Sequence, residues 1–97
     1  MTKTKIAING LGRIGRAFLK TAWAKEELEI VAVNDLGNLE NLAYLLKYDS
    51  AYGQSKLDIK TVPGQLIIDG RAVKFIQEPN PTKLPWADLD IDVVVES

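Results

Sequence analysis

The chain holds neither cysteine nor histidine among its 97 residues. Without cysteine there are no disulfides and no thiolate metal sites. Without both residue types there is no Cys–His pair and no Ser–His–Asp triad, so two standard sources of covalent and acid–base chemistry are missing. A charge excess is also lacking: 12 basic residues are scattered among 13 acidic ones, net −1, with no basic stripe to suit nucleic acid. No apolar run approaches the roughly 20 residues that cross a bilayer. Residues 1–5 enter a strand directly, with no signal-peptide core, which predicts a cytoplasmic protein. Repeats, low-complexity tracts and interdomain linkers are absent.

What remains is an ordinary soluble composition, 46% apolar and 26% charged. The length suits one small domain, burying about 60–65% of its extended-chain surface and so only marginally stable. Lys5-Ile6-Ala7-Ile8-Asn9 reads as a strand. From Arg13 to about Ala24 the pattern turns helical, with Ile14, Phe18 and Ala22 on one face. Residues 29–34 form a second β-branched strand, and Asn38 is placed to cap a helix carrying Leu39, Leu42 and Leu46. Strand, helix, strand within so short a span is a βαβ unit with parallel strands, and both strands read as the continuous apolar runs of a doubly covered sheet. Leu57 to Val62 alternates as an exposed strand does. Asp69-Gly70 between two apolar runs signals a β-hairpin. Pro79, Pro81 and Pro85 punctuate a connecting loop, and residues 91–96 read as a further buried parallel strand. The fold expected is therefore α/β: an incomplete, doubly wound parallel sheet of Rossmann type, with the first βαβαβ half, the next strand and a hairpin insertion.

Gly10-Leu11-Gly12-Arg13-Ile14-Gly15 matches G-x-G-x-x-G. By itself the pattern is weak, since seven glycines could produce it by chance. Its context gives it weight: it follows a strand, opens a helix, and precedes Asp35 by 20 positions. Gly10 permits the tight turn, Gly12 lets the backbone approach a pyrophosphate, and Gly15 lets the helix pack closely on the sheet. Amides at the helix start suit phosphate charge. The Asp35 carboxylate suits a ribose diol and repels a 2′-phosphate, which favours NAD over NADP. The bland alternatives are a ligand-free glycine turn and a solvated helix-capping aspartate.

The run Asn9-Gly10-Leu11-Gly12-Arg13-Ile14-Gly15-Arg16 resembles the amino-terminal signature of phosphorylating glyceraldehyde-3-phosphate dehydrogenases. Val33-Asn34-Asp35-Leu36, Leu45-Leu46-Lys47-Tyr48-Asp49-Ser50-Ala51-Tyr52-Gly53, Leu84-Pro85-Trp86 and Val94-Val95-Glu96-Ser97 continue the resemblance in order. It implies a cofactor site of Asn9, Gly10, Gly12, Arg13, Ile14, Asp35, Pro79 and Ser97, with backbone amides of Arg13 and Ile14 on the pyrophosphate and Asp35 on the adenosine ribose. Pro79 departs from the Arg or Lys common at that position: it keeps the carbonyl beside the adenine but loses the amide and the cation. Leu11 replaces a more usual Phe. The family oxidises an aldehyde through a cysteine thiolate, passes hydride to nicotinamide, and releases the thioester to phosphate with a histidine as base. Neither catalytic residue has a counterpart here.

On this reading residues 1–97 are the amino-terminal part of an NAD-binding Rossmann domain, a fragment lacking the catalytic domain and inactive alone. In the longer protein the partners are NAD and a sugar phosphate, within a homotetramer, and with neither nucleic acid nor membrane. Two alternatives stay open: a stand-alone non-catalytic dinucleotide-binding or assembly module, and a segment of an erythrose-4-phosphate dehydrogenase. Lys47, Tyr48 and Asp49 read as loop-anchoring or subunit-contact residues rather than catalytic ones. Trp23 and Trp86 read as packing residues. Asp88, Asp90 and Asp92 lack the glycine and distal glutamate of a calcium loop and read as a solvated lead-in to the last strand.

Overall fold

The computed structural model describes residues 3–48 and 57–97. Asp49 to Gly53, part of the run quoted above, lies outside the described residues. The elements follow in the order β1 (Thr4–Asn9), α1 (Arg13–Trp23), β2 (Leu28–Asn34), α2 (Leu39–Tyr48), β3 (Ile59–Val62), β4 (Gln65–Ile68), β5 (Arg71–Ile76) and β6 (Val93–Glu96), with one 3-10 turn at Pro81–Lys83.

All six strands form one sheet in the order β3-β4-β5-β2-β1-β6. Four of them, β5-β2-β1-β6, run parallel, and β3 and β4 add antiparallel strands beyond β5. The sheet is thus mixed. The expected hairpin insertion is present as β3 and β4, which stand between α2 and the third parallel strand β5, with Asp69-Gly70 joining β4 to β5. The reason is local: Asp69 (φ 50°) and Gly70 (φ 81°) both turn left-handed, the geometry of a tight two-residue hairpin, so β4 is bound to follow β5 edge to edge. Asp69 also accepts hydrogen bonds from the Asp58 amide (3.0 Å) and the Trp23 indole (3.1 Å), with Arg71 over the Trp23 ring. Trp23 therefore ties the end of α1 to the hairpin.

One core cluster joins Ile6 and Ile8 of β1, Ile30 and Val33 of β2, Leu19 and Ala22 of α1, and Leu39, Leu42 and Leu46 of α2. Asn38 caps α2, its Oδ1 accepting the Asn41 amide at 2.9 Å. The buried stripe of α1 is Gly15, Leu19 and Ala22, not the Ile14–Phe18–Ala22 row. Ile14 is 74% exposed. The helix is rotated because Gly15 must face the sheet: a Cβ there would collide with the Gly10 carbonyl oxygen. The backbone's need for close approach outweighs the burial of one isoleucine. The last strand differs as well. Val93–Glu96 is exposed or half-buried throughout, because β6 pairs with β1 on one side and no described strand lies on the other. Asp88, Asp90 and Asp92 are exposed, as a solvated lead-in requires, and Asp92 also bonds Lys5 through both its carboxylate and its amide, at 2.8 Å each.

Candidate nucleotide site

The carboxyl ends of the parallel strands converge on one open cleft of about 460 Å³, bordered by Gly10, Asp35, Leu36, Pro79, Leu84 and Ser97. Ligands of open α/β sheets bind in this position, where consecutive connections leave a crevice between strand ends. The volume falls within the roughly 300–1,000 Å³ of small-molecule sites.

The glycine turn forms its near wall. Gly10 has φ 104°, a left-handed conformation that admits glycine with little strain. Its amide donates to the Asn34 carbonyl (2.7 Å), and its carbonyl accepts from the Ser97 hydroxyl (2.6 Å). Gly12 is the N-cap of α1 and supplies no side-chain cap, and the first turn of the helix carries no acidic residue. The amides of the first turn are therefore left without a side-chain cap, and the carboxylate beside this helix start, Asp35, bonds the Leu11 amide just ahead of it. A Cβ added at Gly12 meets nothing within 4 Å, in contrast to Gly15. The two glycines do different work. Gly15 fills a contact with the turn, and Gly12 leaves space open beside the uncapped amides. That open space and the uncapped dipole fit an incoming diphosphate.

Asp35 sits on the same side. Its Oδ2 accepts the Leu11 amide at 2.6 Å and its Oδ1 accepts the Gly37 amide at 2.8 Å. The carboxylate thus braces the glycine turn from the end of β2. Each oxygen accepts one bond and keeps a lone pair for a ribose hydroxyl. Arg16 also holds the turn, its Nη1 donating to the Leu11 carbonyl at 3.1 Å. Arg13 and Ile14 are exposed at the helix start.

Of the residues singled out from sequence, Asn9, Gly10, Asp35, Pro79 and Ser97 border the cleft directly. Gly12, Arg13 and Ile14 form the adjoining helix start. Leu36, Leu84, Glu78, Glu96 and Asn34 also border it and were not expected. Asn34, Leu36, Leu84 and Glu96 lie in the runs that carry the family resemblance, and Glu78 had no signal beyond its place just before Pro79.

Comparison with known proteins agrees with this geometry. Residues 4–97 match the family described as glyceraldehyde 3-phosphate dehydrogenase, NAD binding domain. Among curated proteins the chain is 50% identical to a glyceraldehyde-3-phosphate dehydrogenase of Borreliella burgdorferi, over 96% of this chain and 28% of that protein. It is 49% identical to one of Clostridium acetobutylicum, over 95% and 28%. It is 46% identical to the chloroplastic GAPB enzyme of Arabidopsis thaliana, over 99% and 22%. The chain spans about a quarter of the length of these relatives.

Proposed function

The chain belongs to the family of glyceraldehyde-3-phosphate dehydrogenase NAD-binding domains, and from that premise we propose how its residues hold the cofactor and what the longer protein does. The cofactor is NAD. The amides of Arg13 and Ile14 at the start of α1 bind its diphosphate, with the backbone of Gly10 and Gly12 allowing close approach and Asn9 and Ser97 fixing the turn. Asp35 accepts hydrogen bonds from the adenosine ribose diol, and the adenine lies against Pro79. Three carboxylates near this end, Asp35, Glu78 and Glu96, make a 2′-phosphate unwelcome, so NAD is preferred to NADP.

The observation that supports this reading is the 2.6 Å bond from the Leu11 amide to Asp35, which brings the glycine turn and the Asp35 carboxylate to one mouth. Residues 1–97 contribute the grip on the cofactor and no chemical step. The aldehyde oxidation and phosphorylation, the sugar-phosphate substrate and the tetrameric assembly belong to a longer cytoplasmic enzyme, whose cysteine nucleophile and histidine base lie outside these residues.

Titrating the intact protein calorimetrically with NAD and NADP tests the assignment. NAD should bind at least about tenfold more tightly, and Asp35→Ala should weaken NAD and abolish the preference. Equal affinities, unmoved by Asp35→Ala, would overturn it.

A further inference from the structure

Asn34 is the buried polar residue of the described core, 6% exposed, at the last position of β2. Main-chain pairing between β2 and β5 ends there, with Asn34 opposite Ile76 and the Asp35 amide on the Ile76 carbonyl at 2.9 Å. Beyond that point the Asn34 side chain takes over. Its Oδ1 accepts the Glu78 amide (2.9 Å) and its Nδ2 donates to the Glu78 carbonyl (3.1 Å), so Glu78 is paired as though to another strand. Nδ2 also donates to Asn9 Oδ1 at 2.9 Å, and Asn9 Nδ2 donates to Glu96 Oε1 at 2.9 Å.

The direction of this relay is fixed at both ends. A backbone N–H only donates, so the Asn34 atom facing Glu78 N is the oxygen. Nδ2 then faces Asn9, which must present its own oxygen and turn its amide nitrogen to Glu96, whose ionised carboxylate only accepts. One side chain thereby joins the carboxyl ends of β1, β2 and β5, and reaches β6 through Asn9.

We propose that Asn34 is a positioning residue for the adenosine half of the cofactor, clamping Glu78 and hence Pro79 at a fixed distance from Asp35. The inference rests on the nucleotide reading above. Pro79 has no amide of its own with which to anchor the loop, and Asn34 bonds the residue immediately before it. The clamp works through hydrogen bonds of one polarity, so shape alone does not replace it. In Asn34→Asp the volume is kept, but the second oxygen faces the oxygens of Asn9 and Glu78. Turning the Asn9 amide relieves that contact only by setting its oxygen against Glu96. Glu96→Gln supplies the missing donor and lets the Asn9 part of the relay reverse, leaving only the Glu78 carbonyl without its donor.

The experiment is calorimetric titration of the intact protein and its variants with NAD, ADP-ribose and nicotinamide mononucleotide. N34D should weaken NAD and ADP-ribose by the same factor, about tenfold, and leave nicotinamide mononucleotide unchanged. The double variant N34D/E96Q should recover at least about threefold of that loss, because the reversed relay is satisfied at the Asn9 link. N34D binding NAD within about twofold of the parent, or a loss that E96Q leaves untouched, would overturn the clamp while the nucleotide reading stands. A parent protein that binds neither NAD nor ADP-ribose would sink that reading itself. If N34D does not fold, hydrogen exchange in the parent decides. The Glu78 amide should be as protected as that of Phe75 within β5, and free exchange at Glu78 overturns the proposal.

Discussion

Strands β2 and β6 are both rich in β-branched apolar residues and differ in burial. Ile30-Val31-Ala32-Val33 in β2 includes two residues with no exposure, Ala32 and Val33, whereas Val93 in β6 is 47% exposed. Both are β-branched apolar runs and both pair in parallel with β1. The difference is place. β2 lies between β1 and β5 and beneath α1, and β6 has one neighbour among the described residues. A run of this kind selects a strand, and the number of neighbours selects how deeply it is buried.

The contrast breaks most violently if a charge is placed in each strand. Val33→Asp leaves an unpaired carboxylate in the core and should cost about 3–5 kcal/mol, enough to unfold a marginal domain. Circular dichroism during urea titration should show no cooperative transition. A normal transition would mean that β2 is not the covered strand described.

A milder way to sharpen it is to lift the cover. Gly15→Ala sets a methyl group against the Gly10 carbonyl, so α1 must retreat from β1 and β2, at about 1–3 kcal/mol. Gly12→Ala, with open space at the same atom, should leave the urea midpoint in place and weaken NAD instead. Midpoint and affinity should therefore part company between the two variants. Equal midpoints would show that the two glycines are interchangeable and the assignment of their roles mistaken.

The smallest effect belongs to β6. Val93→Lys on the exposed edge should change stability by less than about 0.5 kcal/mol. It should also lower any self-association of the 97-residue chain through this edge, because β6 has one strand neighbour among the described residues and a charged edge is a poor template for pairing. Analytical ultracentrifugation over a concentration series reads this. Unchanged association with Lys at that position would place the contact elsewhere.

Much of the fold was legible because its cues are local. Asp69-Gly70 dictates a hairpin through two left-handed residues, Asn38 caps α2 through a bond three residues away, and the leucines of α2 recur at helical spacing. The glycine turn and Asp35 were legible for the same reason, since each role is tied to a position relative to a strand end. The rotation of α1 was legible through Gly15 alone: Ile14 and Leu19 are equally apolar, and the glycine that packs on the sheet selects the row that holds Leu19. Asn34 was opaque, because a polar residue ending a strand looks the same whether it meets water or clamps a loop 44 positions away.

The sequence by itself determined the kinds of element, their order, the glycine turn and the lack of any thiol or imidazole for chemistry. Those depend on backbone sterics and composition, which neighbouring residues settle among themselves. Tertiary structure alone decided which strand is covered, and that Asn9, Asn34, Glu78 and Glu96 form one directed relay at the cleft. Each of those depends on groups far apart in the chain arriving at hydrogen-bonding or van der Waals distance, and packing rather than pattern sets that distance.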